Sequence, residues 1–270
     1  MGGPPPASSV QYLTKTKRSE RSLELFCIFA LTFAALCLYC FNLGDMPLRD
    51  WDEATVAQVA KEISRHSPEA LHWLFPSLNG EPYLNKPPLM HNLIAEAFRL
   101  WGVNEFAARI PGAFLTALSV PVLYGLAREL FSLRLPALLT ALTYLTMLPV
   151  VRHGRLAMLD GPVLCFGIMT LWAVLRCRRD LRWSLVVGLS IALVGLTKGI
   201  MMAGLWGAIA FAFLLWDTPR LLLSFYGLLG FILGSLPLWA WYGAQWIHYQ
   251  DLFISTNLWS QSFSRIFNEV

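Results

Sequence analysis

The sequence predicts an all-α integral membrane protein, and its composition and the clustering of its apolar residues are the two observations that predict this class. Hydrophobic residues make up 56% of the 270 residues and charged residues only 14%, whereas soluble domains carry about 25% charged residues. The apolar residues also come in runs long enough to cross a bilayer. The net charge of +4 does not indicate nucleic-acid binding, because the arginines lie in short clusters between those runs.

Seven apolar segments are predicted to span the membrane. They are Leu23–Phe41, Ile110–Leu130, Leu135–Val151, Pro162–Leu175, Trp183–Leu196, Ile200–Trp216 and Leu221–Tyr242. An eighth apolar segment, Leu89–Trp101, is shorter and carries His91, Glu96 and Arg99, so we expect it to be a surface helix. Residues 1–22 are predicted to be a cytoplasmic tail and residues 23–243 a transmembrane domain. Residues 244–270 are predicted to lie outside, and the chain is expected to be a fragment or short form of a longer protein.

Charge orients the predicted spans. The loop Arg176–Arg182 contains four arginines and one aspartate, whereas the long loop Gly44–Arg109 contains six basic and nine acidic residues. Cytoplasmic loops are the basic ones, so the loop 44–109 is expected to face outside.

Two elements of this first outside loop are candidates for chemistry. Asp52 and Glu53 stand where a helix is predicted to start, a position that favours acids because of the helix dipole. The same carboxylates could act as proton acceptors. Lys86 is followed by Pro87 and Pro88, which hold it at a rigid point. It could reach towards lipid headgroups or bind a phosphate.

Other charges are predicted at the same face. Asp160 precedes a Gly-Pro pair at the head of the fourth span, and Arg152, Arg155 and Lys198 are cations on the face where the positive-inside rule does not expect them. An anionic ligand at that face would explain them. Carboxylates could take a proton from an acceptor group, while cations could hold a phosphate leaving group.

These segments resemble the dolichyl-phosphate-mannose-type protein mannosyltransferases, and more closely their bacterial relatives that transfer aminoarabinose to lipid A. The resemblance covers about residues 45 to 240. It is carried by motifs that occur in the family's order and at similar spacing, namely Asp52-Glu53, Pro82-Tyr83, Lys86-Pro87-Pro88-Leu89, Asn104-Glu105-Phe106 with Arg109 and Pro111, Gly154-Arg155-Leu156 with Leu159-Asp160, and Thr197-Lys198-Gly199.

The resemblance implies a GT-C-type transmembrane helix bundle whose large first outside loop carries surface helices, and a polyprenyl-phosphate-linked sugar as donor. It implies that Asp52 is the acceptor-activating base, that Glu53 and Asp160 line the same site, and that Lys86 contacts the lipid phosphate. Further candidates are Arg155 and Lys198 for the phosphate, and Tyr83, Asn85, Asn257 and Arg265 for donor or acceptor contacts. Asn85 stands where the aminoarabinose transferases carry an acid, so no metal ligand set is predicted, although a divalent metal stays open as a cofactor.

The predicted function is therefore transfer of a sugar from a polyprenyl-phosphate donor to a lipid or protein acceptor at the outer face of a membrane, taken to be a bacterial inner membrane. Membrane lipids are expected partners and nucleic acid is not. Two alternatives stay open. One is an inactive, truncated remnant that binds the lipid phosphate, and the other is a transporter or flippase. A transporter predicts charges inside the spans and inverted repeats. The sugar and the acceptor are not identified by the sequence.

Overall fold

The computed structural model describes residues 7–263 and is built almost entirely from helices. Twelve α-helices are present in this part of the chain, together with a 3-10 turn at Pro68–Ala70, a two-stranded hairpin of β1 (Ser77–Leu78) and β2 (Glu81–Pro82), and a π-helical segment at Ile254–Phe263. The α-helices are α1 (Ala7–Cys40), α2 (Asp52–Arg65), α3 (Leu89–Trp101), α4 (Glu105–Leu130), α5 (Arg134–Thr146), α6 (Leu148–Gly154), α7 (Asp160–Cys177), α8 (Trp183–Lys198), α9 (Ile200–Asp217), α10 (Pro219–Leu222), α11 (Phe225–Tyr249) and α12 (Asp251–Phe253).

The predicted multi-pass membrane architecture is confirmed. Among the described helices, α1, α4, α7, α9 and α11 are long and apolar enough to cross a membrane, and α5 with α6 adds a sixth span if the bent pair is counted as one. The remaining predicted span corresponds to α8, which is apolar but has only 16 residues. Helix α3 has the predicted bounds and, with 13 residues, is not a candidate span, as expected. Helix α1 begins at Ala7, and the part of it that is long and apolar enough to cross a membrane is Glu20–Cys40, so the cytoplasmic location of the predicted tail stays a prediction.

The predicted span Leu135–Val151 is broken rather than continuous. Helix α5 ends at Thr146, Met147 is extended, and α6 continues at an angle of 56°. Pro149 stands in the first turn of α6, where its missing N–H is tolerated. Within one continuous helix it would remove a hydrogen bond and clash with the preceding turn. This proline was a signal in the sequence that the prediction overlooked.

Side-chain contacts show which helix ends lie together. Arg155 reaches the last carbonyls of α1, and Lys198 at the end of α8 pairs with Asp160 at the start of α7. We call this the site end of the bundle. Glu24, near the start of the part of α1 that can span a membrane (Glu20–Cys40), contacts Arg128 and Arg134, which close α4 and open α5. We call this the far end. The alternation of helix directions is the one that consecutive spans require.

The first long loop forms a cap on the site end. Helices α2 and α3 pack against each other and against the first turn of α4, with Val59, Ile63, Ile94 and Phe98 buried between them. Each such side chain contributes about 1.5–3 kcal/mol by leaving water. Asn104 fixes where α4 begins, because its side chain accepts a hydrogen bond of 2.8 Å from the N–H of Ala107. The cap is therefore held rigidly over the bundle.

Candidate active site

A cavity of about 590 Å³ lies where the cap meets the site end of the bundle. Asp52 enters it from the start of α2, Lys86 from the loop before α3, and Asp160 and Lys198 from the facing ends of α7 and α8. The full lining consists of Trp51, Asp52, Thr55, Val56, Tyr83, Asn85, Lys86, Met158, Leu159, Asp160 and Lys198. The structure thus brings together four charged residues that are far apart in the sequence, two of each sign.

The turn that carries Asp52 has a strained backbone. Trp51 adopts φ 69° and ψ −87°, and the N–H of Asp52 donates to the carbonyl of Asp50 at 3.2 Å. This is a γ-turn with positive φ, a rare conformation for a residue with a side chain. Such a conformation costs about 1–3 kcal/mol and persists where surrounding contacts enforce it. Its effect here is to start α2 abruptly, with Asp52 as the first helical residue at the cavity.

The contacts that enforce this turn come from Glu53. Its position differs from the expectation that Glu53 lines the site. Glu53 is fully buried and lies outside the cavity lining. Its carboxylate accepts hydrogen bonds from Arg109 Nε at 3.0 Å, from the N–H of Ala157 at 2.7 Å and from the N–H of Arg49 at 3.0 Å. Arg109 also donates to the carbonyls of residues 43, 46 and 47. One buried ion pair therefore joins α2, α4, the loop before α2 and the segment before α7.

Glu53 stays ionised despite its burial. Burial alone would raise the pKa of the carboxyl, but the hydrogen bonds from Arg109 and from the N–H groups of Ala157 and Arg49 outweigh it, so the pKa lies below its ordinary value. The two adjacent carboxylates therefore lie in different environments. Asp52 is exposed in the cavity, whereas Glu53 is buried and held by its ion pair with Arg109.

Asp160 and Lys198, which line the same cavity as Asp52, form an ion pair with each other. Lys198 is the last residue of α8, because Gly199 follows with φ 107°, a conformation that glycine adopts at no steric cost. Asp160 is the first residue of α7, where the helix dipole favours a carboxylate. Both charges therefore stand at helix ends that the fold positions.

The loop with Lys86 is anchored from both sides. Pro88 directly precedes α3, and the carbonyl of Leu84 accepts a hydrogen bond of 2.7 Å from Asn257 Nδ2. Tyr83 is buried beside the cavity, and its burial, together with the negative charge of Asp52, raises the pKa of its hydroxyl to about 12. Tyr83 is therefore a neutral hydroxyl at physiological pH. Asn85 lines the cavity between Tyr83 and Lys86.

Two other candidates, Asn257 and Arg155, are placed differently from the expectation. Asn257 is 2% exposed and is not among the residues that line the cavity, while Tyr242 donates to its Oδ1 at 3.3 Å. Arg155 lies in a different cavity and donates to the carbonyls of Leu38 and Phe41 at 2.5 and 2.8 Å, at the end of α1. Its interaction with a helix C-terminus is favourable for a cation. Arg265 lies outside the described residues.

No group of three or more His, Cys, Asp or Glu side chains within residues 7–263 is arranged to hold a metal ion. The candidate site consists of two carboxylates and two lysines, which suits proton transfer and the binding of an anionic group. Sequence reasoning missed Arg109 as the partner of Glu53 and Tyr242 as the partner of Asn257. Neither contact has a local signal, since each joins residues on separate elements.

Fold and site together define a multi-pass helical membrane protein with an acid-and-lysine cavity at one end of its bundle. The family model described as dolichyl-phosphate-mannose-protein mannosyltransferase matches residues 85–242, more than half of the chain. The chain belongs to this family, which confirms the resemblance stated from its motifs.

Individual relatives agree with this assignment. The undecaprenyl phosphate-alpha-4-amino-4-deoxy-L-arabinose arabinosyl transferase 1 of Pseudomonas fluorescens is 32% identical over 200 residues, which are 70% of this chain and 35% of that protein. The crystal structure of ArnT from Cupriavidus metallidurans bound to undecaprenyl phosphate matches with a TM-score of 0.70 and 19% identity, over 92% of this chain and 45% of that one.

The Saccharomyces cerevisiae protein O-mannosyltransferase Pmt1–Pmt2 complex bound to its sugar donor matches with a TM-score of 0.61 and 17% identity, over 85% of this chain and 34% of that one. At these identities the two solved structures establish the GT-C membrane fold. The chain spans less than half the length of the relatives it matches.

Proposed function

We propose that this chain carries the catalytic cavity of a membrane glycosyltransferase that uses a polyprenyl-phosphate-linked sugar as donor. The observation that carries the proposal is one cavity whose lining contains Asp52, Lys86 and the Asp160–Lys198 ion pair. An undecaprenyl-phosphate complex of a structural neighbour and a donor complex of another support the choice of donor.

In the proposed reaction Asp52 is the general base. It takes the proton from an acceptor hydroxyl or amine as the acceptor atom bonds to the anomeric carbon of the sugar. The bond from that carbon to the phosphate oxygen breaks, and its electron pair leaves with the polyprenyl phosphate. Asp52 suits this role because it is exposed in the cavity, and because Glu53 and Arg109 fix the turn that presents it.

Lys86 and Lys198 are the proposed phosphate-binding residues. Each places an ammonium group at the cavity, where it would offset the negative charge that grows on the leaving phosphate. Asp160 orients Lys198 through their ion pair. Tyr83 and Asn85 offer a neutral hydroxyl and an amide as hydrogen-bonding groups for the sugar or the acceptor. Arg155, Asn257 and Glu53 are proposed to act through the fold rather than by contact with substrates.

The distribution of charge favours an enzyme over a transporter. In α7, α8, α9 and α11 the acidic, lysine and arginine residues are confined to Asp160, Arg176, Lys198 and Asp217. All four stand at helix ends, whereas a path for a charged substrate across a membrane calls for charges along the helices. The arginine-rich loop at the far end supports a cytoplasmic placement of that end. We therefore infer that the cavity faces outside, in the inner membrane of a bacterium like those of the arabinosyl transferase relatives.

Transfer of radiolabelled sugar from polyprenyl-phosphate donors to a membrane-lipid extract tests the proposal, with the chain compared with Asp52→Asn. Loss of a general base lowers a rate by about 10²–10⁴-fold, so we expect transfer to fall by that factor while donor binding persists. Equal transfer by both chains would remove Asp52 as the base. Donor binding without transfer by either chain would favour the lipid-phosphate-binding remnant. The control is Glu62→Gln, which changes a carboxylate of the cap that faces Ser77 and Asn79 instead of the cavity.

A further inference from the structure

A second and larger cavity, of about 790 Å³, lies on the other side of the turn that carries Asp52. It is bounded by the end of α1, by the loop that follows and by α6 with the residues after it. It shares no lining residue with the Asp52 cavity. The wall between the two cavities is the four-residue strip from Arg49 to Asp52, whose first two residues line the larger cavity and whose last two line the smaller one.

The larger cavity is rich in arginine. Arg49, Arg109, Arg152 and Arg155 line it, and Asp50 is the only acid in its lining. Arg109 and Arg155 are occupied by Glu53 and by backbone carbonyls. The side chains of Arg49 and Arg152 are exposed, and neither makes a hydrogen bond or an ion pair with another residue in the described part of the chain. Two guanidinium groups are thus available to a ligand.

The rest of the lining is apolar. Leu43, Met46, Leu148, Val151 and Leu156 form much of its surface. The cavity lies beside the end of α1, which can span a membrane, and beside α6, which forms a candidate span only together with α5. Arginines next to an apolar wall at the end of spanning helices match a molecule with a phosphate at one end and hydrocarbon at the other. The volume is within the range that encloses a small-molecule ligand, about 300–1,000 Å³.

We propose that this second cavity binds the phosphate headgroup of an anionic membrane lipid, with Arg49 and Arg152 as its phosphate-contacting residues. The guanidinium group is suited to this because its planar donors match phosphate oxygens in pairs. This site goes beyond the proposed sugar transfer, because it is lined by different residues and needs no reaction. It also accounts for Arg152 as a cation on the face where the positive-inside rule does not expect one.

The test is native mass spectrometry of the purified chain titrated with dioleoyl phosphatidate, with dioleoyl phosphatidylcholine and with inorganic phosphate. We expect phosphatidate to bind most tightly, because only it offers both an unshielded phosphate and hydrocarbon. Arg49→Gln with Arg152→Gln should weaken phosphatidate binding by at least tenfold, since each charge-assisted contact is worth about tenfold or more. The matched control, Arg182→Gln with Arg220→Gln, removes the same charge at the far end and should bind as the parent chain does.

Two further variants separate this proposal from misfolding and from binding in the donor cavity. Arg49→Lys with Arg152→Lys retains the charge and should keep part of the affinity, which separates charge loss from misfolding. Lys86→Gln should weaken binding of polyprenyl phosphate while phosphatidate binding persists, which separates this site from the donor cavity. The proposal is overturned if phosphatidylcholine binds as well as phosphatidate, if the double glutamine variant binds normally, or if inorganic phosphate competes at concentrations similar to those of the lipid.

Discussion

The two ends of the bundle use their charges differently. At the far end, partly exposed carboxylates meet arginines from neighbouring helices, as in Glu129 with Arg176 at 2.8 Å and Asp217 with Arg178 at 2.7 Å. At the site end, the pair formed by Glu53 and Arg109 is almost completely buried, and Arg49, Asp52, Lys86 and Arg152 line cavities. At the far end, partly exposed ion pairs therefore join neighbouring helices. At the site end, charged side chains line cavities around the buried Glu53–Arg109 ion pair, which we call the buried anchor.

The largest effect on stability is expected from a substitution that removes the buried anchor at the site end. Glu53→Gln leaves the Arg109 guanidinium buried without its counter-charge, which costs about 3–5 kcal/mol in comparable cases. We expect a correspondingly large drop in the free energy of unfolding, measured by thermal unfolding in detergent micelles. Glu96→Gln, at a side chain that is 62% exposed, should change stability by less than about 0.5 kcal/mol. Similar losses in both variants would contradict the anchoring role.

The same anchor predicts a dependence of stability on pH. The pKa of Glu53 is lower in the folded chain than its ordinary value, so the unfolded chain binds the proton more readily. The stabilisation is complete above the ordinary pKa and is lost as the pH falls through the folded-state value. Unfolding measured from pH 7 down to pH 3 should show this loss in the parent chain and a smaller one in Glu53→Gln. Parallel curves for the two chains would exclude Glu53 as its source.

A smaller effect at the site end should come from Asn257, which positions the Lys86 loop without touching the cavity. Asn257→Leu leaves the carbonyl of Leu84 without this donor, and such a loss costs about 1–3 kcal/mol. If the loop then shifts Lys86, the KM for the polyprenyl-phosphate donor should rise about five- to tenfold, with a smaller change in kcat.

Gln245→Leu is the matched control for that variant. Gln245 is also a buried amide that donates to a loop carbonyl, that of Leu74 at 2.7 Å, but Leu74 lies farther from Lys86 along the chain than Leu84 does. It should lose similar stability and keep its donor KM. Equal changes of KM in the two variants would show a general loosening of the loop instead of local positioning.

The smallest effect is expected at the far end. Arg178→Gln removes a partner of Asp217 in a pair whose side chains are 36% and 25% exposed. Exposed ion pairs contribute about 0–1 kcal/mol, so stability should fall within that range and sugar transfer should stay unchanged. A loss as large as that of Glu53→Gln would mean that both ends depend on ion pairs in the same way.

The sequence predicted the parts of this molecule that follow from pattern. Long apolar runs predicted the membrane helices, and the polar residues of Leu89–Trp101 correctly excluded it as a span. The family resemblance implied one site for Asp52, Glu53, Lys86, Arg155, Asp160 and Lys198, of which Asp52, Lys86, Asp160 and Lys198 share a cavity. The break at Met147 and the hairpin around Asn79-Gly80 had local signals, a proline and a turn dipeptide, that the prediction did not use.

The sequence pattern could not predict which of two similar residues lines the cavity. Asp52 and Glu53 are adjacent acids at one helix start, and only tertiary contacts with Arg109 and Ala157 bury one and expose the other. Arg155 and Lys198 are both cations on the same face, yet the end of α1 binds the first and Asp160 binds the second. Such assignments depend on long-range packing, which motif spacing does not contain.

The shortness of α8 has a consequence for the depth of the cavity. Its 16 residues make a helix roughly 24 Å long, whereas the hydrocarbon layer of a bilayer is about 30 Å thick. A helix shorter than that layer thins the bilayer around it or draws polar groups inward. In either case Lys198, its last residue, lies at a depth below the ordinary headgroup plane. Under the proposed function, the cavity is then a local depression of the membrane surface, where Lys198 would meet the donor phosphate while the hydrocarbon chain of the donor stays in the bilayer.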